Sequence, residues 1–302
     1  MDYLIAGVPN DNDLASFIGK KGSANGITFY NRKTEGIKLA ALTPTDLNDK
    51  FYTLGQVLSM SEVIVISTKS VDKMFAECVI GASLLAKPII LTNSNDVDAM
   101  LKPIQLRVFA KADNATMLEA LTSFKKSQGD KASPLRIDID HAFPVKGVGT
   151  VLLGIVRSGK VKAHDNLVIS NGKQVSVRSI QVQDDDVQEA GAGARVGLAV
   201  KGVEHDEVEK GDILAEKRVE YADKITAGVE LSSMSGNANV ESETEAIVSG
   251  FSFANCKGVT KSGDEYVFEL DKKVALDIGD RFIVIRKNSP RLFCAGTVKA
   301  KA

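Results

Sequence analysis

Few residues in this 302-residue chain have the types and spacing that chemistry needs. Asp138, Asp140 and His141 are metal-ligating side-chain types close together in sequence. They end a segment, Leu135 to His141, that alternates apolar and polar residues as a half-buried strand does, so both carboxylates are expected on its solvated face and no metal is expected. The only histidines are His141, His164 and His205, and no metal-ligand spacing or nucleophile–base pair emerges around them. Cys78, Cys256 and Cys294 lie far apart with no Cys-x-x-Cys, so neither a disulfide framework nor a zinc site follows. Cys78 falls in a helical apolar pattern and reads as core. Two charge runs remain. Asp184-Asp185-Asp186 reads as an acidic turn, and the stretch from Arg281 to the end carries Arg281, Arg286, Lys287, Arg291, Lys299 and Lys301 without one acid.

The elements around these residues fall into two styles. Tyr3–Gly7, Val63–Ile66, Pro88–Leu91 and Leu106–Phe109 are apolar strands separated by helical stripes. The stripes are Leu14/Phe17/Ile18, Leu47/Phe51/Leu54/Leu58, Val71 through Ala82, and Met117/Leu118/Leu121/Phe124. An early hairpin is expected at 26–42 around Lys33-Thr34-Glu35, and a solvated turn at Gly19-Lys20-Lys21-Gly22. Apolar strands alternating with helices imply a mostly parallel sheet covered on both faces. The polar stretch Lys125–Ser133 reads as a linker, and beyond it the pattern changes to short strands and glycine turns. Glu220–Lys224 reads as a second linker, followed by strands at 226–232, 245–251, 265–270, 280–286 and 291–298. No apolar run approaches a membrane span, the start reads as a strand and not a signal peptide, and a cytoplasmic protein is expected. With 38 basic and 39 acidic residues, nothing global argues for nucleic acid or membrane.

The middle of the chain is the most specific. Lys146-Gly-Val-Gly-Thr-Val151, Arg157-Ser-Gly-Lys-Val161 and Glu209-Lys-Gly-Asp-Ile-Leu214 occur in the order and at the spacing of the second domain of elongation factor Tu. Gly147 and Gly149 flank one residue, so the backbone there is expected to need room or positive φ. Ser179–Val182 followed by Val187–Ala190 is most similar to SelB, the selenocysteine-specific member. The chain therefore resembles the elongation factor Tu/SelB group of translation GTPases. Gly279-Asp280-Arg281 and Arg291–Val298 resemble the group's third domain. The resemblance implies a multi-domain protein: an α/β P-loop-GTPase-like domain with a mostly parallel sheet over 1–130, then two small β-barrels over 131–222 and 223–302.

The same resemblance directs attention to nucleotide motifs. A phosphate loop needs Gly-x4-Gly-Lys-Ser/Thr after the first strand, so that backbone amides, an ammonium and a Mg²⁺-binding hydroxyl surround phosphate. Here the residues are Gly7-Val-Pro-Asn-Asp-Asn-Asp13-Leu14. Asp13 stands in place of the lysine and Leu14 in place of the hydroxyl. Aligned on Met60 and the strand at 63–66, the Asp-x-x-Gly-His motif becomes Leu42-Thr-Pro-Thr-Asp46, and Thr43 or Thr45 reads as a helix cap. The guanine-reading Asn-Lys-x-Asp becomes Asn93-Ser-Asn-Asp96, with Asp96 able to cap the next helix. Gly7, Asn93 and Asp96 are thus vestigial nucleotide-binding residues, and neither GTP nor Mg²⁺ is expected as a cofactor.

The expected protein is a SelB- or elongation-factor-Tu-like paralogue without catalysis. It would bind tRNA or the ribosome and translation machinery. Candidate phosphate contacts are Arg157, Lys160, Lys162, Arg195, Lys201, Arg281, Arg286, Lys287 and Arg291. The alternatives are a nucleotide-binding elongation factor with an unusual GTP site, and a protein-interaction scaffold that has lost RNA.

Overall fold

The computed structural model describes residues 1–104, 106–128 and 133–301. The first unit contains β1 (Asp2–Gly7), α1 (Asn12–Ile18), β2 (Lys20–Ala24), β3 (Ile27–Thr34), β4 (Ile37–Pro44) and α2 (Tyr52–Met60). It continues through β5 (Val63–Ile66), α3 (Lys73–Leu84), β6 (Pro88–Thr92), α4 (Asp98–Leu101), β7 (Arg107–Ala112) and α5 (Met117–Gln128). Its sheet runs in the order β2-β3-β4-β1-β5-β6-β7. β4, β1, β5, β6 and β7 are parallel, and β2 and β3 form the antiparallel flank. Both faces are covered, as continuous apolar strands require: Leu14 and Ile18 of α1 pack with Leu121 and Phe124 of α5, while α2 and α3 cover the opposite side.

The second unit contains β8 (Arg136–Val145), β9 (Gly149–Ser158), β10 (Lys160–Lys162), β11 (Asn166–Ile169) and β12 (Gln174–Val182). It ends with β13 (Asp185–Val187), β14 (Glu189–Gly191), β15 (Arg195–Lys201) and β16 (Ile213–Ala215). The order β11-β16-β8-β9-β15-β12 is closed by the β11–β12 pairing, giving a small barrel with β13 on its rim. Gly147 and Gly149 have φ of 80° and 102°, as expected of that turn, and Gly159 also has a positive φ, 67°.

The third unit contains β17 (Tyr221–Leu231), α6 (Val240–Glu243), β18 (Thr244–Ser249), β19 (Ser252–Ser262), β20 (Glu265–Ala275), β21 (Arg281–Arg286) and β22 (Leu292–Lys301). These six strands close as β17-β20-β19-β18-β21-β22 around Phe268, Phe282 and Phe293.

Several local expectations are corrected. Residues 20–24 form an exposed edge strand, β2, not a turn. Neither Thr43 nor Thr45 caps α2: the cap position is Phe51, without a side-chain bond, and the Thr45 carbonyl instead accepts from the Thr53 hydroxyl. Phe17 and Val71 are exposed, and Leu47 lies before its helix. α5 extends through Gln128, so the linker anticipated at 125–133 begins later; residues 129–132, and with them the boundary at 130/131, lie outside the described residues. The linker expected at Glu220–Lys224 is mostly strand, because Tyr221 and Ala222 pair with Ala275 and Val274, so the boundary at 222/223 falls inside β17. β19 was not anticipated: Asn255, Lys257 and Gly258 break the apolar alternation that marks its neighbours.

Candidate functional site

A recess of about 590 Å³ opens at the carboxyl ends of β1, β5, β6 and β7. Ligands of parallel α/β sheets bind at such strand ends. It is lined by Asp11, Asp13 and Leu14 after β1, Ser67 and Lys69 after β5, Thr92, Asn93 and Ser94 after β6, and Asp113–Ala115 after β7. Three carboxylates face one ammonium, a formal charge of −2.

The β1 loop is bound to its neighbour. Asn10 Nδ2 donates to the Ser67 carbonyl at 2.8 Å, and Asn10 Oδ1 accepts from the Ser67 amide at 3.0 Å. The Ser67 hydroxyl donates to Asp11 Oδ2 at 2.8 Å, while Asp11 Oδ1 caps α1 by accepting from the Leu14 amide at 2.9 Å. A carboxylate of the chain therefore occupies the amino end of α1. Asp13 is exposed, 3.9 Å from Lys69 across the mouth. On the far wall, the Thr116 hydroxyl and amide hold the Asp113 carboxyl below its usual range.

The three nucleotide candidates separate. Asn93 lines this cleft and also a smaller recess of about 220 Å³ beside it. Asp96 lines only the smaller recess; it is not the cap expected of it, because the cap position of α4 is Val97, and Asp96 one residue earlier accepts from the Asp98 amide at 3.0 Å. Gly7 lines neither. A Cβ on Gly7 would lie 2.7 Å from Ser61 Oγ and 3.0 Å from Ile64 Cδ1, so its bare backbone serves packing.

The nine basic candidates do not form one face. Arg195 lies 3.2 Å over the Phe29 ring, 2.8 Å from Asp140 and 2.9 Å from Ser23. Arg157 is 3.2 Å from Asp138 and from the Met60 sulfur. Lys160 pairs with Glu189 at 2.8 Å. Arg281 reaches the Leu84 carbonyl at 2.8 Å and Glu230 at 2.5 Å. Arg286 is buried between Glu243 and the Pro290 carbonyl, and Arg291 lies 3.9 Å over Phe51. Lys162, Lys201 and Lys287 are exposed.

The carboxylates are also corrected. Asp138 and Asp140 were expected on a solvated face, yet are 2% and 8% exposed. They do point out of the barrel, but the outside of β8 is covered by the other two units. Arg136 and Arg157 compensate Asp138, and Arg195 compensates Asp140. Burial still pushes the Asp140 carboxyl above its usual range. Asp185 and Asp186 belong to β13, and Asp185 is not a free turn charge: Lys33 and Lys38 contact it at 2.7 and 2.8 Å and hold its pKa at about 2. The sequence pattern did not single out Glu77, which accepts from the Arg291 and Leu292 amides at 2.6 and 2.9 Å, or Lys87, which donates to the Ser59 and Ser61 carbonyls. Among the described residues no His/Cys/Asp/Glu group could hold a metal, and no helix is long and apolar enough to cross a membrane.

The sequence and the fold are similar to those of known proteins. The uncharacterized protein MJ0325 of Methanocaldococcus jannaschii is 32% identical over 283 residues, covering 89% of this chain and 90% of that protein. The two belong to one family. The Elongation factor Tu domain 2 model matches residues 149–215, the second unit. The selenocysteine-specific elongation factor of the same archaeon is 33% identical over 184 residues, 53% of this chain and 39% of that protein. Translation elongation factor SelB from Methanococcus maripaludis, in complex with the GTP analogue GppNHp, superposes with a TM-score of 0.81. That likeness covers the whole chain and 80% of SelB at 21% identity, and shows the fold. The chain resembles the elongation factor Tu/SelB group from its first unit to its last.

Proposed function

We propose that this protein is a translation-factor relative that neither binds nor hydrolyses GTP and acts as a non-catalytic binder of tRNA or of the translation machinery. The observation that carries the first half is the charge of the cleft. A phosphate placed about 4 Å from Asp13 meets repulsion of roughly 1 kcal/mol at a dielectric of about 80 and roughly 4 at about 20, and Asp13, 94% exposed, lies toward the weaker end. Lys69 supplies one opposing charge, and it is 70% exposed. The amino end of α1 offers phosphate little, because Asp11 already accepts its Leu14 amide. The Leu14 side chain has no oxygen for Mg²⁺. The residues of this cleft do not fit a magnesium–nucleotide complex. Calorimetric titration with GTP and GDP in the presence of Mg²⁺ tests this: no heat at millimolar nucleotide is expected, and micromolar affinity overturns it.

The second half rests on the resemblance of the two barrels to those of the group. Lys162, Lys201 and Lys287 are the exposed cations through which a phosphate backbone would be held. A specific observation favours a second reading, a protein-binding scaffold without RNA: six of the nine basic candidates contact groups of the chain itself. Binding of bulk tRNA measured between ~50 and ~200 mM salt separates the two, since phosphate contacts give a steep decline and a scaffold gives no binding.

A further inference from the structure

We infer that the N-terminal α/β unit is a fixed brace, which holds the two barrels in one relative placement and does not separate from either. This goes beyond the proposed function and does not depend on it.

The three units meet pairwise, and each seam combines tight packing with directed bonds. Between the first and third, α2 and α3 share one apolar cluster with the last barrel, in which Leu54, Leu58 and Val79 pack with Val248, Ile283 and Leu292. Across the same seam Glu77 accepts two amides of the β22 entry, Ser59 Oγ accepts from the Gly250 amide at 2.9 Å, and Gln56 donates to the Phe251 carbonyl. Between the first and second, Lys38 donates to the Val182 carbonyl at 2.9 Å, Gln183 to the Leu39 carbonyl at 2.8 Å, and Arg195 stacks on Phe29. Between the barrels, Arg136 grips both oxygens of Asp280 at 2.8 and 2.9 Å, and Ser252 donates to the Gly211 carbonyl at 3.0 Å.

Every seam also holds a glycine with no room for a side chain. A Cβ on Gly81 would overlap Leu58 and lie 2.8 Å from Leu292; one on Gly193 would overlap the Tyr3 carbonyl; one on Gly211 would lie 2.7 Å from Ser252 Oγ. Backbone thus approaches its neighbour at van der Waals distance on all three sides. Because the contacts form a closed triangle, displacing any unit breaks two seams at once. The connection after the second unit adds little slack, since Val219 is buried and Arg218 donates to the Ser170 carbonyl at 3.0 Å.

Three backbone amides report directly on the seam between the first and third units, because their acceptors are side chains of the first: Gly250, Arg291 and Leu292. Hydrogen exchange of the full chain, read at these amides and at Cys294 within the barrel, tests the brace. Protection at the three within about tenfold of that at Cys294 is expected, because a seam that opens only with the whole molecule exchanges at the global rate. It should not change when GTP–Mg²⁺ or tRNA is added. Exchange at the three faster by about a hundredfold, with Cys294 still slow, means that the seam opens on its own and overturns the inference. In Glu77→Gln the carboxamide keeps one acceptor oxygen, so one of the Arg291 and Leu292 amides should lose protection while Gly250 keeps it; simultaneous loss at Gly250 marks a loose seam and also overturns it. Nucleotide binding in the calorimeter with the three amides unmoved removes the proposed function and leaves the brace standing. Absent binding with fast amides does the reverse.

Discussion

Gly81→Ala sets two known effects against each other at the centre of the shared core. Gly81 lies inside α3, and alanine there gains about 1 kcal/mol of helix propensity. Against this, the new methyl group would overlap Leu58 Cδ1 and sit 2.8 Å from Leu292 Cδ1. Both leucines are 0% exposed, so neither can turn toward water to make room. Overpacking of a filled core costs about 1–3 kcal/mol, and the tighter contact here calls for the upper half of that range. The expected net loss is about 1–2 kcal/mol. Gly55 of α2 is the internal control: its Cβ would meet Ile283 and Val248 at 3.1 Å, which a shift of a few tenths of an ångström relieves, so Gly55→Ala should be close to neutral. Urea unfolding followed by circular dichroism gives both values from the midpoint shift at constant slope. Adding Leu292→Val beside Gly81→Ala should recover at least about 0.5 kcal/mol through coupling of contacting residues. Gly81→Ala at or above wild-type stability, or a greater cost at Gly55 than at Gly81, would refute the packing argument.

Replacing Lys162, Lys201 and Lys287 together by alanine should leave stability within about 0.5 kcal/mol and lower the slope of log affinity against log salt for tRNA by about 2–3. Arg195→Ala should cost about 3–5 kcal/mol in chemical denaturation by stranding the buried Asp140, and Arg195→Lys should restore little, because the ammonium cannot stack on Phe29 as the guanidinium does. Burial, reinforced by Arg157, lowers the Lys87 ammonium to about pH 7 from its ordinary 10.5, so the unfolded chain binds more protons there and stability should climb from pH 7 to about 8.5, before the thiols titrate; Lys87→Met should flatten that climb in thermal melts. Asp185 has its pKa depressed to about 2 by Lys33 and Lys38, so its contribution is present above about pH 4 and lost as pH falls toward 2; Asp185→Asn should show a shallower acid limb.

What the sequence made legible was local. Apolar strands at 63–66 and 88–91, alternating with helices, implied a covered, mostly parallel sheet, and Gly147 and Gly149 marked a turn that needs room or positive φ. The aspartates of β8 show where such reading stops. Alternation along Asp138-Ile-Asp140 correctly turned both carboxylates out of the barrel, but period alone says nothing of what lies outside. Here the outside of one barrel is the inside of an interface, and a group that would be solvated on an isolated domain is buried in the whole chain. β19 failed for a related reason: with Asn255, Lys257 and Gly258 in its sequence, it owes its place to pairing with β18 and β20 and not to its own pattern.

The basic end of the chain carries the same lesson into function. Arg281, Arg286 and Arg291 looked like an electrostatic footprint because no acid follows Arg281 in the sequence. Their partners come from elsewhere: Glu230 from β17 for Arg281, Glu243 from α6 for Arg286, and the Phe51 ring of the first unit under Arg291, whose main-chain amide also donates to Glu77. An acid-free run is therefore no measure of free positive charge once strands from distant segments lie side by side. Three arginines that would have been counted toward RNA instead tie the last barrel to itself and to α2 and α3. The charge that holds the units together is withdrawn from what the surface can offer a partner. On the proposed RNA-binding reading, a phosphate backbone would be met by lysines such as Lys162, Lys201 and Lys287, as point charges, and not by the arginine forks that read as its best candidates in the sequence.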